Sequence, residues 1–404
     1  MWSAEDGGAS RQAGDPRHWD VTGTPHSLSR LVIAATMVVA AGNRYYLIGH
    51  TAGEGATGFV EEFDPLTLEI RRRSPDLRGG PVWPGGGAII NSGDLVVVFG
   101  RHVHRLTTDL DVVQVGELPR DRPYNSFVEL ENGALVTKDF GGARPGEDVN
   151  FTSESCELLA LDPVSLATVA SVTIPDGSVA RVSAIGNDVV VVGVQRLWVW
   201  SLTDEGFVEK LSVPYRRDGG GYGWDAVIAD GRAWFLTNGA GSERYDGSLR
   251  GKGVATAGQE VVSVSLADGT LSRFLVHHES GGLVANPPAV IPQHELVVGY
   301  DSGNGVVTAF NYRQGNVAWS RPLNHGCHPM ILNNGDLLVM NDWHVDAGHD
   351  DVVILDSRSG EELSRHHSDS IVQSVLFGAP GDHDDIYLCS FSHLSRLSWG
   401  DDER

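Results

Sequence analysis

The feature that most constrains this chain is a recurring pair of short apolar runs joined by a tight turn. Residues 122–140, RPYNSFVELENGALVTKDF, read as strand, turn at Asn132-Gly133, and strand. The same unit returns around Gly42-Asn43, Ser92-Gly93, Gly186-Asn187, Asp230-Gly231, Gln293-His294 and Asn334-Gly335, and finally across 381–384. Asn-Gly and Asp-Gly between apolar runs are strong hairpin signals, because both central turn positions require positive φ. A lone strand pair cannot bury its apolar face, so the recurrence itself sets the fold.

Two further runs follow each pair. The third ends in an Asp or Asn turn, as at Asp64-Pro65, Asp162-Pro163, Asp268-Gly269, Asn311–Gly315 and Asp356-Ser357. The fourth is more polar, as an outer edge strand should be. Examples are LEIRRRS (68–74), VVQVGELP (112–119), FVEKLSVP (207–214) and GEELSRHH (360–367). No long amphipathic helix pattern interrupts them. The chain therefore predicts an all-β propeller of about eight four-stranded blades, with seven as the alternative count. The last unit is one strand short, since only 400–404 follow LSRLSW. An N-terminal segment around 19–23, WDVTG, is expected to supply the missing strand and close the ring. Residues 1–18 are expected to be a flexible arm, and 19–404 a single propeller domain.

Composition narrows the partners. A formal charge of −23 argues against nucleic acid and against an anionic membrane surface. No apolar run approaches the roughly 20 residues of a membrane helix. The three cysteines, Cys156, Cys327 and Cys389, form no zinc or disulfide pattern, and the polar N-terminus is unlike a secretory leader. These features lead us to expect a reducing, cytoplasmic setting.

Propeller geometry brings the loops leading into each first strand, and those joining second to third strands, to one face. The first set carries Asn125, Arg181, Asp225, Asn286, His325, His328 and Gln373, with Trp83 and Trp224 beside them. The second adds Asp139, Asn238, Asp301, Asn341, Asp342 and His344, on loops that are long in alternate units. Asn and Asp oxygens converging on a channel are the ligands a calcium ion takes. Asn125, Asp225 and Asn286 are therefore the expected holders of a divalent metal such as calcium. The competing role for such residues is capping strand ends through backbone hydrogen bonds. His328 or His344, the latter beside Asp342, would serve as acid/base. Trp83, Arg181, Trp224 and Gln373 would contact substrate. Cys327 would be a nucleophile only with a lowered thiol pKa.

Two resemblances bear on these expectations. RPYNSFVELENGALVTKD resembles the Arg-x-Asn-Asp segment of the gluconolactonase, senescence-marker-protein and strictosidine-synthase-like propellers. That resemblance makes Asn125 a metal ligand, with Ser126 standing where the family has Asp. GWDAVIADGRAWFLTN resembles the Pro-Asp-Gly segment of the same group, placing Asp225 at a ligand position while Trp224 and Ala226 depart from it. Residues 309–320, AFNYRQGNVAWS, are similar to the Ala-x-Asp-x-x-x-Gly-x-x-x-Trp docking motif of quinoprotein repeats, which implies kinship of fold. The resulting expectation is a small-molecule enzyme at one channel mouth, a metal-dependent hydrolase or lactonase. The alternatives are a non-catalytic platform for a protein or small ligand, and a metal-free lyase or isomerase.

Overall fold

Apolar runs buried on both faces make the inner halves of the blades, and alternating runs make the rims. Leu95–Phe99 is buried throughout, whereas residues 169–173 alternate between exposed and half-buried positions. The computed structural model describes all residues except 22, 52, 54, 80–84, 144–146, 149–150, 238–247, 252–256, 283–285, 374–376 and 400–404. It contains eight four-stranded antiparallel sheets, so the molecule is an eight-bladed all-β propeller. The innermost strands, in chain order, are Ala35–Ala41, Gly86–Ile89, Val128–Glu129, Ser183–Ile185, Val227–Ala229, Ala289–Ile291, Met330–Leu332 and Phe377–Pro380. We number blades 1 to 8 in that order.

Local chemistry fixes the connections. Asp230 (φ 50°) and Gly231 (φ 70°) link Ala229 to Arg232 in a turn with two left-handed residues. Between third and fourth strands, the side chains of Asp64, Asp162, Asn311 and Asp356 each accept backbone N–H groups two and three residues on. The docking motif is realised between blades 6 and 7. Trp319 Nε1 donates to the Ser357 carbonyl at 2.8 Å, and the indole lies on Gly360, where a Cβ would come within 2.6 Å of the ring.

The ring closes as expected in kind but not in place. The outer strand of blade 8 is His26–Leu31, paired antiparallel with His393–Ser398, rather than the segment at 19–23. HSLSRL carries the polar alternation of a solvent-facing edge. Trp19 is instead buried, with its backbone N–H and C=O both held by the Asn333 side chain. An aromatic cluster of Tyr45, Phe63 and Tyr387 seals the joint between blades 1 and 8, with ring centroids 4.7–5.9 Å apart.

The expected flexible arm at 1–18 is the larger correction. Trp2, Ala4, Glu5, Asp6, Arg11, Ala13 and Asp15 are all buried. The physical reason is that each innermost strand has one edge facing the channel, with backbone groups that need partners. The N-terminal segment supplies them, and the next section follows its path.

Candidate functional site

The N-terminal segment winds across the channel, bonding to one inner strand after another. Trp2 exchanges backbone hydrogen bonds with Ala40 of blade 1, and Ile89 of blade 2 donates to the Ser3 carbonyl. Ala184 of blade 4 donates to Ala9, Ile228 of blade 5 to Ser10, and Ile331 of blade 7 to Ala13. All five are at or near the ends of their strands that lead into the first hairpin turns, so the segment fills the channel from that face. From the other face, the buried Leu249 donates its N–H to Gln373 Oε1 at 2.7 Å.

Three charged side chains of the segment enter the channel and meet residues expected to carry the chemistry. Arg181 contacts Glu5 at 2.8 Å and Asp225 at 3.0 Å. Arg11 contacts Glu5 and Asp6, each at 3.0 Å, and Asp225 at 3.8 Å. His328 Nδ1 lies 2.7 Å from Asp6 Oδ1. Thus three carboxylates share two guanidiniums and an imidazole, all with 5% exposure or less. Burial alone would raise Asp225, but Arg181, Arg11 and His328 outweigh it and hold the carboxyl below its usual range. Asp6 is likewise lowered against its desolvation, chiefly by His328. Glu5 is raised, because burial there exceeds the pull of Arg181 and Arg11.

The expected metal ligands reach the channel region, but as arranged they do not fit a calcium ion. Asp225 Oδ1 accepts the Arg181 backbone N–H at 2.7 Å, and Oδ2 faces both guanidiniums, which would repel a divalent cation. Asn286 donates Nδ2 to the Gly326 carbonyl at 3.0 Å. Asn125 is buried, and neither amide atom bonds to a protein group among the described residues. Of the expected substrate contacts, Arg181 is in the network and Gln373 is committed to Leu249 and Asn324. Trp224 is buried, edge-on to Phe140 at 6.4 Å. Trp83 and Asn238 lie outside the described residues.

The expected acid/base pair belongs to two separate environments. His328 faces Asp6 in the channel. His344 ends the second strand of blade 7, Leu337–His344, with Nε2 at 2.8 Å from Asp351 Oδ2. Asp342 is 2.9 Å from Arg365 and also caps the Asn324 N–H. His325 is fully buried, its Nδ1 accepting from the Asn341 N–H at 3.1 Å, and burial pushes its pKa down to about 3. Burial also pushes the Cys327 thiol well above its ordinary range, which removes the nucleophile reading. Asp139, Asp301 and Asn341 serve turns and loops, accepting the N–H groups of Glu157, Gly303 with Asn304, and Gly326 with Cys327 respectively.

Glu5, Asp6 and Arg11 are the residues that reading the sequence missed. Nothing in MWSAEDGGASRQ repeats the blade pattern. The available signals were the apolar Trp2 and the Gly7-Gly8 pair, both glycines having positive φ here.

No family model matches the chain, and no curated protein does. Solved structures of similar shape include BamB from Moraxella catarrhalis, with 14% identity and a TM-score of 0.61, covering 93% of this chain and 100% of that one. A computationally designed protein, Ika8, shares 12% identity at 0.61, covering 91% and 96%. The Dos1 propeller shares 9% identity at 0.63, covering 94% and 95%. At these identities the likeness concerns the fold alone. The chain is an eight-bladed β-propeller. The likeness does not single out the gluconolactonase group.

Proposed function

We propose that this protein is a non-catalytic propeller: a rigid platform, its channel filled by its own N-terminal segment, that binds a protein partner on its outer surface. The observation that carries this is the pairing of Asp225, Arg181 and His328 with Arg11, Glu5 and Asp6. The channel groups best suited to chemistry are already spent on holding the N-terminal segment. A channel metal enzyme would first have to expel Arg11 from beside Asp225. The surface charge of the acidic chain favours a partner with a complementary basic patch. Cys156, Cys327 and Cys389 are buried thiols outside any disulfide, which suits a reducing compartment, so we place the platform in the cytoplasm.

The test is to assay the full-length chain and its Asp225→Asn variant against lactones and esters, with and without calcium, beside thermal melts. The platform reading expects no calcium-dependent turnover in either, and a lower melting temperature in the variant. Turnover by the native chain that vanishes in Asp225→Asn, with the melting temperature unchanged, would overturn it.

A second reading rests on a different observation. Asn125, the Tyr300 hydroxyl, His325 Nε2 and Glu5 Oε1 are buried without a hydrogen-bond partner among the described residues. Such groups are costly unless something polar meets them. They favour a small polar molecule held inside the ring, as a metal-free lyase or isomerase would need. A mass-spectrometric search for a small molecule released on denaturation of the purified chain separates the two readings.

A further inference from the structure

The second hairpin of blade 7 carries a cluster that the channel network does not use. Its strands Leu337–His344 and His349–Asp356 are joined by a four-residue turn, and His344 pairs directly with His349. Asp351 lies two residues beyond His349, on the same face of its strand. His367, in the outer strand Glu362–His367, is the direct cross-strand partner of Asp351. Strand register therefore gathers three imidazoles and one carboxylate on one face of one sheet. The donor atoms of His344, His349 and Asp351 all lie within 4.8 Å of one another. Asp351 Oδ2 is 2.8 Å from His344 Nε2, and Oδ1 is 3.6 Å from His349 Nε2 and 3.4 Å from His367 Nδ1. The rings of His349 and His367 are 4.3 Å apart.

We infer that His344, His349 and Asp351 form a binding site for a divalent d-block cation, zinc foremost, with His367 as the fourth donor. Imidazole nitrogen with one carboxylate is the donor set that zinc takes, at about 2.0–2.2 Å from each ligand. Two ligands at that distance in a tetrahedral site stand roughly 3.4 Å apart. The separations of Asp351 from the three histidines, 2.8–3.6 Å, bracket that figure, and rotation of the exposed rings would bring the histidine nitrogens to it. The histidine side chains are 33–59% exposed, which leaves the ion a way in, while Asp351 is 8% exposed and fixed.

Arg365 shows where the ion goes. Its Nη1 lies 2.9 Å from Asp342 Oδ2, 2.9 Å from Asp351 Oδ2 and 3.3 Å from His344 Nε2. A positive group already occupies this pocket. The other nitrogens of the guanidinium are anchored on Glu362 at 2.8 and 2.9 Å. A bound zinc takes the place of Nη1 at His344 and Asp351, and the arginine swings onto Glu362. Arg365 is thus the cation that zinc must displace, and removing it tightens binding. The ion pins the hairpin to the outer strand of the blade.

The experiment is calorimetric titration of zinc chloride into the full-length chain after chelator treatment and dialysis, with cobalt(II) absorption as a second readout of ligand type. One equivalent is expected to bind. His349→Ala and Asp351→Asn should each weaken it at least tenfold, and Arg365→Gln should strengthen it. A His277→Ala/His278→Ala double variant, altered at a histidine pair elsewhere, should leave the titration unchanged. Circular dichroism establishes that each variant folds. No saturable uptake by the native chain, or uptake unchanged in a His344→Ala/His349→Ala variant, overturns the site.

Discussion

The Asp6 carboxylate lies 2.7 Å from Nδ1 of His328, joining two groups 322 positions apart in the chain. The contact ties the N-terminal segment to blade 7 through a hydrogen-bonded pair that is almost wholly buried. Around it, Arg11 and Arg181 complete a network that spans blades 4, 5 and 7. Buried ion pairs gain little over an apolar core when intact, because desolvation offsets attraction. Their asymmetry matters more: removing one member leaves an uncompensated charge.

Arg11→Ala should therefore lower stability by about 3–5 kcal/mol, since Glu5, Asp6 and Asp225 would lose a shared cation. Urea unfolding of the full-length chain measures this. A loss below about 1 kcal/mol, the range of an exposed pair, would show that the network is solvated.

The same region sets a dependence on pH. His325 is held near pKa 3 by burial, against an ordinary 6.5. Between those values the unfolded chain binds a proton that the folded chain does not, so stability falls as the pH is lowered, by about 1.4 kcal/mol per unit at most. Asp6 and Asp225 act in the same direction lower down. Their folded pKa values are depressed, so their contribution is present above the usual carboxylate range and lost as pH falls through the folded values. Glu5 opposes them, because its raised pKa makes its contribution one that is lost as pH rises. Urea midpoints at pH 7.5 and 5.0 should differ, with the lower midpoint at pH 5.0, and His325→Phe should shrink the difference. Equal midpoints in the native chain would refute the assignment.

Asn125 offers a way to ask what meets the unpartnered polar groups. Neither of its amide atoms bonds to protein among the described residues. If nothing else holds the amide, Asn125→Leu should be neutral or stabilising, because a buried unsatisfied polar group is replaced by an apolar one. A loss of more than about 2 kcal/mol would mean that the amide holds a molecule, which supports the enclosed-ligand reading. Chemical denaturation of both proteins decides between these outcomes.

The blade architecture was legible because each blade repeats its own local chemistry. The Asp230-Gly231 turn and the Asp64 and Asp162 turns are properties of a few adjacent residues, so they can be read without the rest of the chain. Trp319 was legible for the same reason, as part of a spaced motif. The convergence of Arg181, Asp225 and His328 on the channel region followed from strand order alone. What could not be read was who meets them there. Glu5, Asp6 and Arg11 contact residues far off in sequence, and a polar, glycine-bearing segment looks the same whether it is solvated or threaded through a ring. The closing strand was misplaced because Trp19 and the run at 26–31 are both plausible edge material until burial separates them. The blade 7 cluster needed cross-strand register, which a turn of known length would have given: HVDAGHDD already places His344 opposite His349.

The motif between blades 6 and 7 carries a further prediction. Trp319→Ala should cost about 3–5 kcal/mol as a large buried side chain. Trp319→Phe should cost less, losing mainly the hydrogen bond to the Ser357 carbonyl, about 1 kcal/mol. Gly360→Ala should also destabilise, because Gly360 has φ 71° and an added methyl would strike the indole. Thermal melts of the three variants should follow that order for the tryptophan pair. If Trp319→Ala were tolerated, the docking contact would be incidental to the ring.

Ring closure and channel filling are carried by two different stretches, and deletion separates them. Removing residues 1–17 takes away Arg11 and its carboxylates but leaves His26–Leu31 on His393–Ser398. The ring then stays closed, while Arg181 loses Glu5, Asp225 loses Arg11, and the channel-facing edges of the inner strands lose their backbone partners. The expected product is a folded propeller with a lower melting temperature and faster proteolysis. Removing residues 1–31 also strips the outer strand of blade 8. Blade 8 would then be three-stranded, exposing the edge of His393–Ser398 and the joint where Tyr45 packs on Tyr387. That protein should fail to fold as a monomer or should aggregate through the open edge. Light scattering and circular dichroism on the two truncations distinguish these outcomes. If both behave alike, the N-terminal segment and the closing strand act as one unit, and the channel segment is as necessary to the ring as the strand itself.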